Sequence, residues 1–332
     1  MKKTILGAVL GATAMLSGTT AMADGHGEIT VAYFLEWPMP MMTAKAAGTY
    51  DEALGTKVNW VSFETGTAMS AAMASGDVQI ALSQGLPPFV VAVSGGQDLQ
   101  LVDVAVSYAE NQGCAVHADL EIDKDNASEL AGKKVAVPLG TAAHYSFIRH
   151  MDHFGVPLDS LSIVDMPPPE GANALGQKAV DFACGYGGGW AKMQEFGDKL
   201  LTGAEKQDIG ILVFDVTSVP AAFAAENGDM LAKFLKVTAD ANAQWAADPS
   251  DEMLAVIAEQ SGMDLEAARG AISTMSFPTI EDQLSEAWLN GTAAGFMKGV
   301  ADVFVNAKSI DSALDSYEGA LNTAPLETAK GM

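Results

Sequence analysis

Cysteine and positive charge are both scarce in this sequence. Of 332 residues, two are cysteine and 18 are lysine or arginine, against 42 aspartate and glutamate, which gives a net charge of −24. Such a surface repels phosphate backbones and anionic membranes, so nucleic acid is excluded as a partner. An anionic ligand would need local hydrogen-bond donors to offset the same field.

Long apolar runs are also missing, apart from a short one near the N-terminus. Lys2 and Lys3 precede the apolar stretch from Ile5 to Leu16, and Ala21 and Ala23 provide the small residues of a cleavage site. The stretch is shorter than the roughly 20 residues that span a bilayer, which argues against a membrane anchor. Residues 1–23 are therefore predicted to be a signal peptide, and the mature protein is expected to be exported and soluble.

The two cysteines, Cys114 and Cys184, lie in a chain that is expected to be exported. An even number of cysteines in an oxidising compartment favours a disulfide between them, and two buried thiols are the alternative. Neither cysteine belongs to a zinc or thioredoxin pattern.

Strand-like and helix-like segments alternate up to about Phe223, which predicts an α/β fold with a mainly parallel sheet. The C-terminal part is predicted to be helical and to pack outside the sheet. No flexible linker separates two domains, so any two lobes would be joined by strands. Helices are predicted over Met39–Tyr50, Asn173–Lys178, Asp229–Ala247, Asp251–Gln260, Leu265–Ser273 and Ile280–Val305. The last strand is predicted over 210–220.

Ligands of open α/β sheets bind beyond the carboxyl ends of strands, and unusual residues follow several strands here. Glu36 and Trp37 follow the first strand, where an acid beside an aromatic ring can hold a cation. The alternative is a helix-capping glutamate with a packed tryptophan. Ser83, Gln84 and Gly85 follow another strand and precede a helix, where backbone N–H groups can receive an anion or a carbonyl, although a plain turn is equally consistent.

The segment "PLGTAAHYS" predicts an anion site at the start of a helix. Gly140 frees the backbone, Thr141 supplies a hydroxyl, and Ala142 allows a ligand close to the free N–H groups. Thr141 acting only as an N-cap is the alternative. His144 is a further candidate donor to the ligand, although a packed histidine explains it equally well.

Two later strand ends complete the candidate set. Tyr186 lies in the glycine-rich "CGYGGGW" and is predicted to face a cleft. Asp215 interrupts the apolar "LVFDVTSVP", and a charge at such a position must be paired, hydrogen-bonded or used for binding. A buried salt bridge is the alternative. One anion site, two acids and several aromatic rings together suit a small zwitterion whose ammonium faces Glu36 and Asp215.

Enzyme signatures are missing from the chain. There is no G-x-S-x-G, no H-E-x-x-H and no C-x-x-C, and the histidines have no metal-ligand spacing. We predict a protein that is not an enzyme, with no catalytic residues, no metal and no cofactor.

Several collinear segments carry a family resemblance: "ITVAY", "SGDVQIA", "AGKKVAVPLGTAAHYSF", "GVPLDSLSIVDMPPPEGANAL" and "FDVTSV". They resemble the periplasmic substrate-binding proteins of nitrate/sulfonate/taurine ABC importers, and the taurine-binding members most. The resemblance implies a type II periplasmic-binding-protein fold, with two α/β lobes around a ligand cleft and a helical C-terminal part. Lobe one would comprise 24–107 and 216–332, lobe two would comprise 108–215, and the crossovers would lie near 104–110 and 214–219.

The same resemblance implies a monomeric periplasmic receptor that delivers taurine or a related aminosulfonate to an ABC permease and its ATPase. "GTAAHYS" matches the segment that receives the sulfonate, although it has fewer hydroxyl groups than usual. Asp215 matches the acid that faces the amine, and Tyr186 stands where the family often has tryptophan.

Glu36, Trp37 and Pro38 depart from the taurine type and resemble binders of pyrimidine thiamine precursors. A receptor for another amine or nitrogen heterocycle is therefore the alternative. A thiamine-precursor synthase is a remote one, because its cysteine cluster is missing.

Overall fold

A computed structural model describes residues 27–332 as a mixed α/β structure with two sheets. The predicted signal peptide lies outside the described residues. Between residues 27 and 332, no helix is both long and apolar enough to cross a membrane. The strands are β1 Ile29–Phe34, β2 Val58–Phe63, β3 Ile80–Gly85, β4 Leu99–Tyr108, β5 Gln112–His117, β6 Lys134–Val137, β7 Ser162–Asp165, β8 Phe182–Tyr186, β9 Gly197–Lys199, β10 Phe214–Pro220 and β11 Met275–Ser276.

The helices cover both sheets and form most of the C-terminal part. They are α1 Met41–Ala47, α2 Thr49–Leu54, α3 Gly66–Ser75, α4 Leu86–Ser94, α5 Ala142–Phe154, α6 Pro168–Gly176, α7 Gly187–Met193, α8 Gly203–Asp208, α9 Ala221–Glu226, α10 Gly228–Ala247, α11 Asp251–Ser261, α12 Leu265–Ile272, α13 Ile280–Gln283, α14 Ala293–Asn306 and α15 Ala324–Lys330.

The first sheet has six strands in the order β11-β4-β10-β3-β1-β2. Strand β1 runs parallel to β2 and β3, whereas β10 runs antiparallel to β3 and β4. Every residue of β3 is buried, as expected for a strand covered on both faces. The prediction of a mainly parallel sheet is wrong for this half, because β10 enters the sheet from the second lobe and runs against its neighbours.

The second sheet has five strands in the order β7-β6-β8-β5-β9. Strands β6, β7 and β8 are parallel, and β5 pairs antiparallel with β8 and β9. Cys114 of β5 lies directly opposite Cys184 of β8, and the two form a disulfide with a Cα–Cα distance of 4.0 Å. The disulfide therefore fastens the central antiparallel pair of this sheet.

Two neighbouring strands of the first sheet connect it to the second. The chain leaves along β4 and reaches β5 after three residues, and it returns from α8 to β10 after five residues. Strands β4 and β10 are paired along their lengths. The ends of β4 and β10 that face the second sheet therefore lie side by side.

The long C-terminal helices follow their apolar periodicity. Helix α10 buries Met230, Leu231, Phe234, Leu235 and Ala241, which recur at the three- and four-residue spacing of one helix face. The predictions for α10, α11 and α12 agree with the structure to within one residue at each end.

The single helix predicted over Ile280–Val305 is wrong, because the chain turns between α13 and α14. Gln283 ends α13, and its Oε1 accepts a hydrogen bond from the backbone N–H of Val104 at 2.8 Å. Gly291 allows the turn, since a Cβ there would lie 2.0 Å from the carbonyl oxygen of Glu286. The spacing of apolar residues predicts neither the hydrogen bond from Val104 to Gln283 nor the turn at Gly291.

Three other boundaries differ from the predictions. The helix predicted over Met39–Tyr50 is split at Gly48, whose left-handed φ of 74° ends α1. Helix α6 begins at Pro168 rather than at Asn173, because proline is favoured in a first turn. Strand β10 begins at Phe214, since 210–213 form the turn that closes α8, where the N–H of Ile211 donates to the carbonyl of Lys206 at 2.8 Å.

Candidate ligand-binding site

Asp215 is a buried carboxylate at the start of β10, with 2% of its surface exposed. Its Oδ1 accepts a hydrogen bond from the hydroxyl of Tyr108 and its Oδ2 accepts one from the hydroxyl of Ser83, both at 2.8 Å. Asp215 makes no salt bridge with any residue in the range 27–332. The charge of a buried carboxylate of this kind is balanced by hydrogen bonds alone, which makes Asp215 a candidate partner for a ligand cation.

Burial raises the pKa of Asp215 to about 7, and the hydrogen bonds from Tyr108 and Ser83 oppose that rise. The pKa of Tyr108 lies well above its ordinary value, because of its own burial and the nearby charge of Asp215. Tyr108 therefore stays protonated and donates. A bound cation would favour the ionised form of Asp215 and lower its pKa.

Trp37 continues the network on the other side of Ser83. Its indole Nε1 donates to the hydroxyl oxygen of Ser83 at 3.0 Å, and its ring meets that of Tyr108 edge to face at 4.7 Å between centroids. Ser83 has a φ of 60°, in the left-handed region that non-glycine residues seldom adopt. This conformation places one hydroxyl between Trp37 and Asp215.

A small inner cavity surrounds this network. Asp215 and four aromatic side chains line it, together with the starts of three helices. The aromatic residues are Phe34, Trp37, Tyr108 and Tyr186, and the others are Gly66, Gly85, Pro88, Thr141 and Ala142. Six of the predicted ligand-binding residues therefore line one cavity. They are Trp37, Gly85, Thr141, Ala142, Tyr186 and Asp215.

The start of α5 forms one wall of the inner cavity. The hydroxyl of Thr141 donates to the carbonyl of Pro138 at 2.6 Å and accepts from the backbone N–H of His144 at 3.4 Å. Thr141 is therefore the N-cap. The N–H groups of Ala142 and Ala143 belong to the first turn, which lacks acceptors within the helix and favours negative charge.

His144 and Gln84 do not line the inner cavity. The Nδ1 of His144 accepts from the N–H of Gly140 at 3.0 Å, its ring packs on Phe304, and burial lowers its pKa to about 4, so it is neutral at pH 7. Gln84 is fully buried and its amide is hydrogen-bonded to Gly66, Ser70 and Ser218. Both side chains are held by these internal hydrogen bonds, and the structure does not place either of them in the cavity with the other candidates.

Glu36 lies outside the inner cavity, in a wider outer cleft of about 410 Å³. It is exposed, and its N–H donates to the carbonyl of Ser261 at 2.8 Å. Phe34, Trp37 and Tyr186 line both compartments. The sequence predicted that Glu36 and Asp215 face the same ammonium. In the structure the two side chains lie in different compartments.

The two lobes meet at this outer cleft. The hydroxyl of Tyr186 donates to the backbone carbonyl of Glu64 at 3.0 Å, which joins the end of β8 to the loop after β2. Gly188 lies against Glu36, and Gly187 has a φ of 58°. The glycine run thus permits a close approach of the lobes.

Sequence patterns missed Tyr108 and Phe34 as residues of the site. Tyr108 ends a predicted strand, and this position is the signal that could have found it. Phe34 lies within an apolar run that gives no sign of facing a cleft. Among residues 27–332, no group of three or more histidine, cysteine, aspartate or glutamate side chains is arranged to hold a metal ion.

Comparisons with known proteins agree with the resemblance predicted from the sequence. The family described as NMT1/THI5 like matches residues 38–252. A taurine-binding periplasmic protein from Escherichia coli (strain K12) is 26% identical over 263 residues, which cover 78% of this chain and 80% of that relative.

Solved structures share the fold. The alkanesulfonate-binding protein SsuA from Xanthomonas axonopodis pv. citri, bound to MOPS, has a TM-score of 0.74 at 18% identity and covers 90% of this chain and 98% of its own. The periplasmic nitrate-binding protein NrtA from Synechocystis PCC 6803 has a TM-score of 0.69 at 17% identity, with coverage of 92% and 89%. The fold is therefore that of the periplasmic binding proteins, as predicted.

Proposed function

This chain belongs to the NMT1/THI5-like family, and we propose that it is a periplasmic receptor that binds taurine or a related small aminosulfonate for an ABC importer. The observation that carries the proposal is Asp215, a buried carboxylate without a cationic partner among residues 27–332. It lines the same cavity as the start of α5. An ammonium would bind at Asp215 and a sulfonate at the first turn of α5.

Hydrogen-bond donors at the start of α5 would offset the negative charge of the protein around a bound sulfonate. The first-turn N–H groups of Ala142 and Ala143 supply partial positive charge without a basic side chain. The small side chains of these two residues let a bulky sulfonate reach the backbone. The hydrogen bond from Thr141 to the carbonyl of Pro138 fixes the turn before α5. Thr141 would therefore support sulfonate binding by holding the backbone N–H groups of the first turn in place.

Closure of the two lobes on the ligand is part of the proposal. Lobe one would comprise 24–107 and 216–332 and lobe two 108–215, with rotation where β4 and β10 leave the first sheet. The closed form would dock as a monomer on a permease that is served by an ATPase. The predicted signal peptide would direct the chain to the periplasm.

Calorimetric titration of the purified protein with taurine tests the proposal. We expect binding at micromolar concentration or tighter, and at least a hundredfold loss in Asp215→Asn, because a buried ionic contact then lacks its anion. Asp103→Asn is the matched control, since Asp103 is a buried acid of β4 that bonds Thr217 and does not line the cavity. Absence of heat with taurine and other aminosulfonates would refute the substrate assignment.

A receptor for another amine or a nitrogen heterocycle is a second candidate, supported by the rings of Trp37 and Tyr186 in the cavity. In that case Trp37→Ala would abolish binding, whereas Ala142→Val, which crowds the anion end, would have little effect. The aminosulfonate proposal predicts a strong loss of binding in both variants.

A further inference from the structure

Lys206 of α8 is a lysine buried inside the second lobe, with 1% of its surface exposed. Its Nζ donates to the backbone carbonyl of Ala109 at 2.5 Å and to that of Gln112. Lysine is seldom buried so completely unless its charge is paired, and within residues 27–332 no carboxylate forms a salt bridge with Lys206. The reason for its burial must therefore lie in the two carbonyls that it holds.

Lys206 contacts both connections between the lobes. The first crossover, residues 109–112, leads from β4 into β5, and the second crossover, residues 209–213, leads from α8 into β10. The side chain of Lys206 binds the carbonyls at the two ends of the first crossover. Its own backbone carbonyl accepts the N–H of Ile211 in the second crossover at 2.8 Å.

Both crossovers are also attached to other parts of the second lobe. The indole N–H of Trp190 donates to the carbonyl of Glu110 at 2.8 Å, and the guanidinium of Arg149 donates to the carbonyl of Ile209 at 2.9 Å. These bonds fasten each crossover separately. Lys206 binds both crossovers and thereby joins them to each other.

Strand β10 is irregular where it passes the ligand site. Its register against β4 shifts between Asp215 and Val216, as in a β-bulge, and a bulge bends a strand locally. Asp215 borders this shift. If both crossovers are fixed to the second lobe, rotation of the lobes is confined to this part of β4 and β10.

We infer that Lys206 is a positioning residue for ligand binding: its buried ammonium joins the two crossovers and the second lobe into one rigid unit, so that the lobes rotate beside Asp215. This inference rests on the lobe closure of the proposed function and not on the identity of the ligand. Without the ammonium the crossovers would move separately, and the closed arrangement of Asp215 and the start of α5 would be populated less. Ligand affinity would fall in proportion to that population.

The charge of Lys206 can be removed by a change of pH. Burial lowers the pKa of Lys206 to about 8, while the charge of Glu110 in the first crossover opposes the fall and that of Lys199 in β9 adds to it. His150 of α5 also interacts with Lys206, and burial lowers its pKa to about 4, so it stays neutral at neutral and alkaline pH. The ammonium is therefore present below about pH 8 and is lost above it, which leaves the two carbonyls with a weaker, uncharged donor.

Titration of wild type and Lys206→Met with taurine on both sides of that pKa tests the inference. At about pH 6.5 we expect the variant to bind at least about tenfold more weakly, and at about pH 9.5 we expect this ratio of Kd values to shrink at least about threefold. The ligand amine and Asp215 titrate in both proteins, so their effects cancel in the ratio. A ratio near one at the lower pH, or the same ratio at both, would overturn the inference.

Lys236→Met is the matched control for the loss of one positive charge. Lys236 lies on α10, where it pairs with Asp240 at 2.7 Å, and it does not contact the crossovers. We expect its Kd to stay within about twofold of wild type at both pH values. An equal loss of affinity in Lys236→Met and Lys206→Met would reduce the effect to net charge and would overturn the inference.

Hydrogen exchange on the free proteins tests the inference without a ligand. In Lys206→Met we expect about tenfold faster amide exchange in both 109–112 and 209–213, although the bond from Ile211 to the backbone of residue 206 is kept. Faster exchange in 109–112 alone, or throughout the second lobe, would overturn the inference, because the crossovers would then be unconnected or the whole lobe merely less stable. If aminosulfonates give no heat with wild type but both crossovers gain exchange in the variant, the proposed function is wrong and the inference stands.

Discussion

Gly188 of α7 lies so close to Glu36 of the opposite lobe that a Cβ on the glycine would fall 2.0 Å from the glutamate Oε2 and 2.9 Å from its Cβ. A side chain at position 188 would therefore have to displace Glu36 if the two segments are to stay this close. Glu36 also has a φ of 53°, so it holds its position in a conformation that glycine would adopt more readily.

Substitution Gly188→Ala is expected to oppose closure. Overpacking of this kind costs about 1–3 kcal/mol, which corresponds to roughly a tenfold loss in ligand affinity. Because the contact involves Glu36, the double variant Glu36→Gly/Gly188→Ala should regain most of that affinity. Titration of the three proteins with the same ligand checks this, and failure of the double variant to recover would show that Gly188 matters only within its own lobe.

Asp215 is expected to make the free protein less stable as the pH rises. A carboxyl whose pKa is about 7 when folded and ordinary when unfolded binds more protons in the folded state. Stability is then lost between about pH 4 and pH 7, by up to about 4 kcal/mol. Thermal unfolding of wild type and Asp215→Asn should show a gap that grows in favour of the variant over this range. Parallel curves would contradict the raised pKa.

His150 should act in the opposite direction. Burial lowers its pKa to about 4, and its Nε2 has no hydrogen-bond partner among the described residues. Since the unfolded chain takes up the proton first, His150 contributes to the loss of stability as the pH falls from about 6.5 to about 4, by up to about 3 kcal/mol. His150→Met should reduce the acid sensitivity in unfolding experiments across this range, and an unchanged pH profile would exclude the effect.

Reduction of the disulfide is expected to destabilise the second sheet. Cys114 and Cys184 are 70 residues apart, and release of a loop of that length costs about 4 kcal/mol. The midpoint of thermal unfolding should fall on addition of a reductant, whereas Cys114→Ala/Cys184→Ala should melt at the lower temperature with or without it. An equal response of both proteins to the reductant would refute this account.

Strand ends were the most informative feature of the sequence. Asp215 could be predicted as a site residue because a charge inside an apolar strand must be paired, hydrogen-bonded or used for binding. Thr141 could be predicted because a glycine and a hydroxyl group precede a helix there. Pattern alone could not separate Glu36 from Asp215, since both acids end or begin strands on the same side. Their separation depends on where the chain turns after β1, which involves the bond from Glu36 to Ser261, far along the sequence.

Ser83 and Gln84 show the limit of sequence reasoning most clearly. They are adjacent and both polar, yet Ser83 touches Asp215 and Gln84 is bound inside lobe one. The left-handed φ of Ser83 decides which of the two side chains reaches Asp215, and no local preference for serine predicts that conformation. The broken helix after Gln283 has a similar cause, because its deciding contact lies 179 residues away at Val104.

Tyr108 ends β4 and Asp215 lies near the start of β10, so the network that would receive a cation sits on the two strands that carry the chain between the lobes. In the proposed closure, a ligand bound there would lie close to the axis of rotation. Glu36, Gly188 and Tyr186 lie far from that axis, so the same rotation would displace them most. Binding of a charge near the axis would then alter the shape of the cleft rim.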